Sequence, residues 1–201
     1  MKKTLAFLSL LLAAAGVAAH PNHIFGVRAG MNIANMTFKS DGISMTPNSV
    51  VRPFVGFSYQ KSLMQTLPLY FETGLGVAGY GASIADGTVK INAYYFEAPA
   101  VVNCHFGLSD DVALIPYIGL GVRVGFAGKM KYDDGEWVAK ADTFGDGMMK
   151  RFDMGIRAGI GVEWHRFLFV FGYDAGVLNL SNGSDLTARN KTFQLQAGYR
   201  F

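Results

Sequence analysis

Three things are scarce in this chain of 201 residues, and each scarcity excludes a class of protein. There is a single cysteine, Cys104, so no internal disulfide can staple the fold. Charge is thin: 16% of residues are Asp, Glu, Lys or Arg, and the formal net charge of +3 is too mild to mark a nucleic-acid binder. Long apolar runs are missing beyond the first residues, so no segment approaches the ~18 apolar residues of a membrane-spanning helix. Yet 50% of the chain is hydrophobic and the mean hydropathy is +0.21. High apolarity without a helical span is resolved if apolar residues occupy every second position of β-strands, the pattern of a transmembrane barrel.

The first residues predict export. Lys2 and Lys3 precede a short apolar stretch, Leu5 to Ala15, and small residues at Val17-Ala18-Ala19. This is the form of a secretory signal peptide over 1–19, with one mature domain over 20–201; an N-terminal membrane anchor is the weaker alternative. No cysteine near the cleavage point supports a lipoprotein.

Eight segments alternate with period two: about 24–34, 51–60, 67–80, 89–106, 112–126, 150–165, 167–179 and 191–201. The sixth is the sharpest. Phe152, Met154, Ile156, Ala158, Ile160, Val162 and Trp164 oppose Arg151, Asp153, Gly155, Arg157, Gly159, Gly161 and Glu163. The joins alternate between short (61–66, 107–111, 165–166) and long (35–50, 81–88, 127–149, 180–190). That asymmetry predicts an all-β, eight-stranded antiparallel up-and-down transmembrane β-barrel, with short periplasmic turns and long extracellular loops. Pro99 and Pro116 fall inside segments four and five, where each predicts a bulge or a strand end.

Glycine parity selects the inner face. Gly119, Gly121, Gly125, Gly155, Gly159 and Gly161 share the polar face with eight counterparts elsewhere. A face in water has no reason to lose its side chains, whereas the crowded inside of an eight-stranded barrel does. The interior then receives Arg28, Glu72, Glu97, Arg123, Asp153, Arg157, Glu163, Asp174 and Arg200. Both signs are expected to pair in a structural network that plugs the barrel, in preference to an ion or proton path. A soluble lipocalin-like carrier of an apolar ligand would place the faces the other way round.

Other motifs dissolve in context. "GLGVAG" at 74–79 matches a dinucleotide-binding string, but it lies within a strand with no helical pattern after it. His20 and His23 in "HPNH" belong to no closed metal-ligand set. Asp133, Asp134, Glu136, Asp142 and Asp146 lack the ordered spacing of a calcium loop. His105 and His165 read as interfacial, and Cys104 as a small lipid-facing residue. No nucleophile, base and acid converge, so the expectation is a protein that is not an enzyme and needs no metal or cofactor.

Four strings together resemble the PorT-like outer-membrane β-barrel family: "IFGVRAGMNIANM" at 24–36, "YYFEAPAVVNCHF" at 94–106, "DMGIRAGIGVEW" at 153–164 and "FQLQAGYRF" at 193–201. In the second, Glu97 and Pro99 match the family's acidic residue and following proline. The resemblance implies an eight-stranded barrel in the bacterial outer membrane and supplies no catalytic residues. One member type works in a type IX protein-secretion system, so membership of such a secretion or envelope assembly is the alternative to a structural or surface-interaction role. Expected partners are outer-membrane lipid, the barrel-insertion machinery during biogenesis and an unidentified protein.

Tyr199 and Phe201 resemble the C-terminal assembly signal read by that machinery. Deleting Phe201 is therefore expected to lower the amount of folded protein in the outer membrane, scored by immunoblot of membrane fractions. An undiminished folded band removes Phe201 as an insertion signal.

Overall fold

The computed structural model describes residues 22–201, apart from 41, 65, 134, 146, 147 and 184. The expected signal peptide, with His20, lies outside the described residues. Eleven strands run in chain order: β1 (His23–Ser40), β2 (Ile43–Met45), β3 (Val50–Ser62), β4 (Leu69–Ile84), β5 (Val89–Cys104), β6 (Phe106–Gly107), β7 (Val112–Asp133), β8 (Val138–Asp142), β9 (Phe152–Trp164), β10 (Phe167–Gly176) and β11 (Thr187–Arg200). Eight of them form a closed ring in the order β11-β10-β9-β7-β5-β4-β3-β1, and β1 pairs back onto β11. Every ring pairing is antiparallel, and all but the β1–β11 closure join successive ring strands in chain order, which makes an up-and-down barrel with no free edge in the ring.

The closing seam carries fourteen Cα partners, from Gly26↔Arg200 to Lys39↔Thr187. β1, β4, β5 and β7 outrun the ~10 residues a tilted strand needs to cross a bilayer, and their extra length lies on the long-loop side. The interval 127–149 is therefore less a loop than expected. β7 continues to Asp133 and folds back as β8, giving a hairpin in which Lys129 opposes Asp142.

The bulge is not at a proline. Register shifts between Tyr94 and Tyr95, where Phe126 of β7 has no partner opposite. Beyond it the inward parity of β7 changes, and Met130 turns onto the core. Pro99 keeps its partner Gly121 on β7 and costs only pairing with β4, which lapses between Glu97 and Ala100 without a change of register. Pro116 pairs with Ile160 on one side; on the other, its missing N–H faces the break between β5 and β6.

The apolar face points outward. Leu75 is 71% exposed, Ile118 62% and Phe169 54%, values that only a lipid surround accommodates over a whole barrel. Aromatics collect near both rims: Phe25 with Tyr59 and Phe167 with Tyr199 by the short turns, Phe96 with Phe126 and Tyr173 with Phe193 by the long ones.

Inward glycines make room for neighbours. A Cβ on Gly159 would meet the Phe171 carbonyl and, at 2.6 Å, the Tyr117 hydroxyl. Gly159→Val is expected to lower the unfolding midpoint of refolded barrel by an overpacking cost of about 1–3 kcal/mol, while Ala158→Val on the outer face leaves it unchanged. Heat-modifiable gel migration reads both; equal behaviour of the two variants contradicts the assigned parity.

Candidate functional site

The interior is layered along the barrel axis. At the level of the short turns, Glu72 on β4 gathers three donors onto one oxygen: Arg28 Nη2 at 2.6 Å, Gln60 Nε2 at 2.5 Å and Asn103 Nδ2 at 3.2 Å. Beside it Arg200 pairs with Glu163. His105 is not at the lipid interface. It enters the barrel base, lies tilted against the buried Tyr70 ring at 4.5 Å, meets Gln60 Oε1 at 3.1 Å and lies 3.9 Å from Glu163. Its parity is that of Glu97 and Asn103, and the register with β7 is the same on both sides of the gap between β5 and β6, so strand alternation carries this residue inward.

The middle layer surrounds two guanidiniums. Arg123 is fully buried; its Nε lies 3.1 Å from Asp153 and its Nη1 lies 2.8 Å from Asp174. Arg157 Nη2 reaches Glu97 and Asp174, both at 2.9 Å. Three carboxylates thus face two guanidiniums, and neutral donors supply the remainder: the Tyr80 hydroxyl donates to Glu97 at 2.7 Å, and Asn190 Nδ2 donates to Asp153 at 2.8 Å. Tyr80 also accepts from Arg123 and lies beneath its guanidinium at 4.8 Å. Glycine shapes the layer, since a Cβ on Gly121 would strike Arg157 and one on Gly155 would strike Asp174 and Arg123.

All nine charged residues read from the inner face therefore stand in these two layers. Tyr80, Tyr95, Tyr117 and Asn190 complete them. Their parity is inward, but they are uncharged, so charge on the inner face does not mark them.

The third layer, toward the long loops, is apolar. Ala34, Met36, Ala78, Tyr80, Ala82, Ile91, Ala93, Tyr95 and Ala188 from the strands enclose Phe144, Met149 and Leu180 from the loops. Phe144 stands edge-on to Tyr95 at 5.5 Å, and Tyr95 edge-on to Tyr80 at 5.4 Å, so a loop side chain is tied to the ion-pair layer through two rings. Met149 bridges to Ser181, and Lys150 N–H donates to the Leu180 carbonyl. No periodicity in 143–151 announces this plug.

Between the two charged layers lies a cavity of about 40 Å³, lined by Arg28, Glu72, Glu97, Tyr117, Arg157 and Arg200 among others. That volume has room for a few waters.

The remaining candidates lie apart from the interior. His23 Nδ1 meets the Tyr59 hydroxyl at 2.7 Å on the rim. His165 occupies the β9–β10 turn with φ 56° and lies 3.5 Å from Asp111. Asp133, outside the bilayer, is held below its usual carboxylate pKa by Lys131 Nζ and by the Gly135 N–H. Asp142 accepts from the Phe144 N–H at 2.9 Å, a turn contact. Asp134 and Asp146 lie outside the described residues. Tyr199 pairs with Val27, and the Phe201 N–H donates to the Phe25 carbonyl at 2.9 Å, so the chain's last aromatic projects outward beside the closing seam.

A lipid-facing apolar exterior around a packed, ion-paired interior defines a transmembrane β-barrel of the bacterial outer membrane. The chain belongs to the family described as outer membrane protein beta-barrel domain, whose model matches residues 5–201. Solved structures similar in fold include Ail, the attachment invasion locus protein of Yersinia pestis, at 16% identity and TM-score 0.42, covering 90% of this chain and 100% of that one. Neisserial surface protein A is similar at 14% identity and TM-score 0.46, covering 90% and 98%. The N-terminal β-barrel domain of Pseudomonas aeruginosa OprF is similar at 11% identity and TM-score 0.33, covering 88% and 97%. No curated relative matches the chain.

Removing Arg123 leaves Asp153 buried without a cation and Asp174 with Arg157 alone. Arg123→Ala is expected to cost about 3–5 kcal/mol of barrel stability, read as a fall in the denaturant midpoint of refolding into lipid. A change below ~1 kcal/mol would mean that the carboxylates relax or hydrate without cost.

Proposed function

We propose that this protein is a non-enzymatic, non-conducting outer-membrane barrel whose biological role lies in the surface it presents outside the bilayer. One observation carries the reading: the interior is filled from rim to rim by two ion-pair layers and an apolar plug, around a cavity of about 40 Å³. A pore needs continuous water, and a carrier of apolar ligand needs an apolar chamber. The space here suits neither. The part that leaves the membrane is chiefly the β7–β8 hairpin, with Trp137 and Val138 exposed near its tip.

Membership of the PorT-like branch is the finer family reading we carry, on the strings quoted from 24–36, 94–106, 153–164 and 193–201. Under that reading a secretion or envelope assembly is the second role. It predicts lost export of cargo in a deletion strain, whereas a lone surface barrel leaves export unchanged.

The test of the first reading is a planar lipid bilayer. Purified barrel is expected to insert without conductance steps, and Arg157→Ala is expected to lose stability without gaining conductance. Open-channel steps from the wild type, or a large conductance in Arg157→Ala at unchanged stability, would replace a plug with a gate.

A further inference from the structure

On the outer side of β5, β7 and β8, above the lipid belt, lysines line up across strands. Lys90 of β5 is the direct partner of Lys131 of β7, and Lys131 is the direct partner of Lys140 of β8. One step nearer the membrane, Asn92 opposes Lys129, and Lys129 opposes Asp142. The facing is fixed by what lies between: Ile91, Ala93 and Met130 turn into the core, so Lys90, Lys129 and Lys131 turn out. Arg52 joins them. It donates to the Asn92 side chain across Gly79, where an added Cβ would come within 2.7 Å of Arg52 Cβ.

Directly opposed like charges on a sheet are unfavourable. Three opposed ammoniums in one row are therefore an arrangement that an external anion would stabilise. Two described carboxylates stand on this face, and both are engaged: Asp133 with Lys131 at 2.5 Å, and Asp142 with the Phe144 N–H. They offset part of the positive charge of Arg52, Lys90, Lys129, Lys131 and Lys140.

Height identifies the anion. Phe96 and Phe126 stack at 4.4 Å on the same two strands and mark the hydrocarbon boundary. Lys129 lies three residues above Phe126, about 10 Å along the strand. Lysine stems of this reach place ammoniums at the headgroup level directly over the aromatic pair.

We propose that the outer face of β5, β7 and β8 is a lipid-binding site that holds the phosphate groups of outer-leaflet glycolipid. Its lysines and Arg52 supply charge-assisted hydrogen bonds to the phosphate oxygens. The aromatic pair and Tyr94 below would lie against the acyl chains and sugar edge.

The test uses the folded full-length barrel in non-ionic detergent, with a diphosphorylated acyl-glucosamine disaccharide and the same lipid after phosphatase treatment as probes, and native mass spectrometry as readout. The wild type is expected to retain the phosphorylated lipid and lose the dephosphorylated one. The triple variant Lys90→Gln, Lys129→Gln, Lys131→Gln is expected to bind about a hundredfold more weakly, from the gain of order one kcal/mol per basic residue near an anionic surface. Replacing the same three by arginine is expected to preserve binding, and Lys61→Gln at the opposite rim to leave it unchanged. Equal retention of both lipids by the wild type overturns the proposal, as does wild-type affinity in the triple glutamine variant. Displacement of the lipid by millimolar inorganic phosphate overturns it too, in favour of a site for soluble anions. Should the triple variant fail to fold, the two-lipid comparison on wild type still decides.

Discussion

Arg123 is the residue on which the interior depends. It is fully buried inside a barrel too narrow for bulk water, and it survives there because Asp153, Asp174 and Tyr80 surround it. A charge left alone in such a place would cost several kcal/mol. Asp174 then serves Arg157, Arg157 serves Glu97, and Glu97 takes the Tyr80 hydroxyl. β4, β5, β7, β9, β10 and, through Asn190, β11 are joined by this one array. The ring's hydrogen-bond ladder closes the barrel; the array fixes its cross-section.

That array needs space, and glycine provides it. Two guanidiniums, three carboxylates and the Tyr80 ring fit at one level only because Gly121 and Gly155 hold no side chain there. Tyr117 crosses the lumen one level down over Gly159 and Gly172 for the same reason. In a small barrel the side chains omitted from the wall set the size of those that cross it. The lipid side has no such limit, so phenylalanine recurs on it freely.

Much of this was legible from alternation. The eight segments, their inward parity and the nine inward charges follow from period two, because every second residue shares a face and the glycines identify that face. What escaped lies where period two fails. The bulge opposite Tyr94 and Tyr95 turns Met130 inward, so β7 runs on to Asp133 where alternation breaks near 126. Phe144 and Met149 belong to a segment without period and are buried by tertiary folding alone. Proline disturbs the sheet less than its place in the sequence implies: a missing N–H interrupts one ladder and leaves the register intact when the other neighbour still pairs.

The axial order of the layers has a consequence for the outside. Charges occupy the base and middle, and the mouth is closed by apolar side chains, two of which come from the loop before β9 and one from the loop after β10. Phe144 rests on Tyr95, Tyr95 on Tyr80, and Tyr80 on Arg123 and Glu97. The long loops are thus anchored to the ion-pair array by a continuous stack instead of resting on the rim. A loop held by buried contacts gives up conformational freedom during folding and need not lose it again on binding. The outer surface inherits its shape from the interior, so the array that plugs the barrel also preorganises the face it presents.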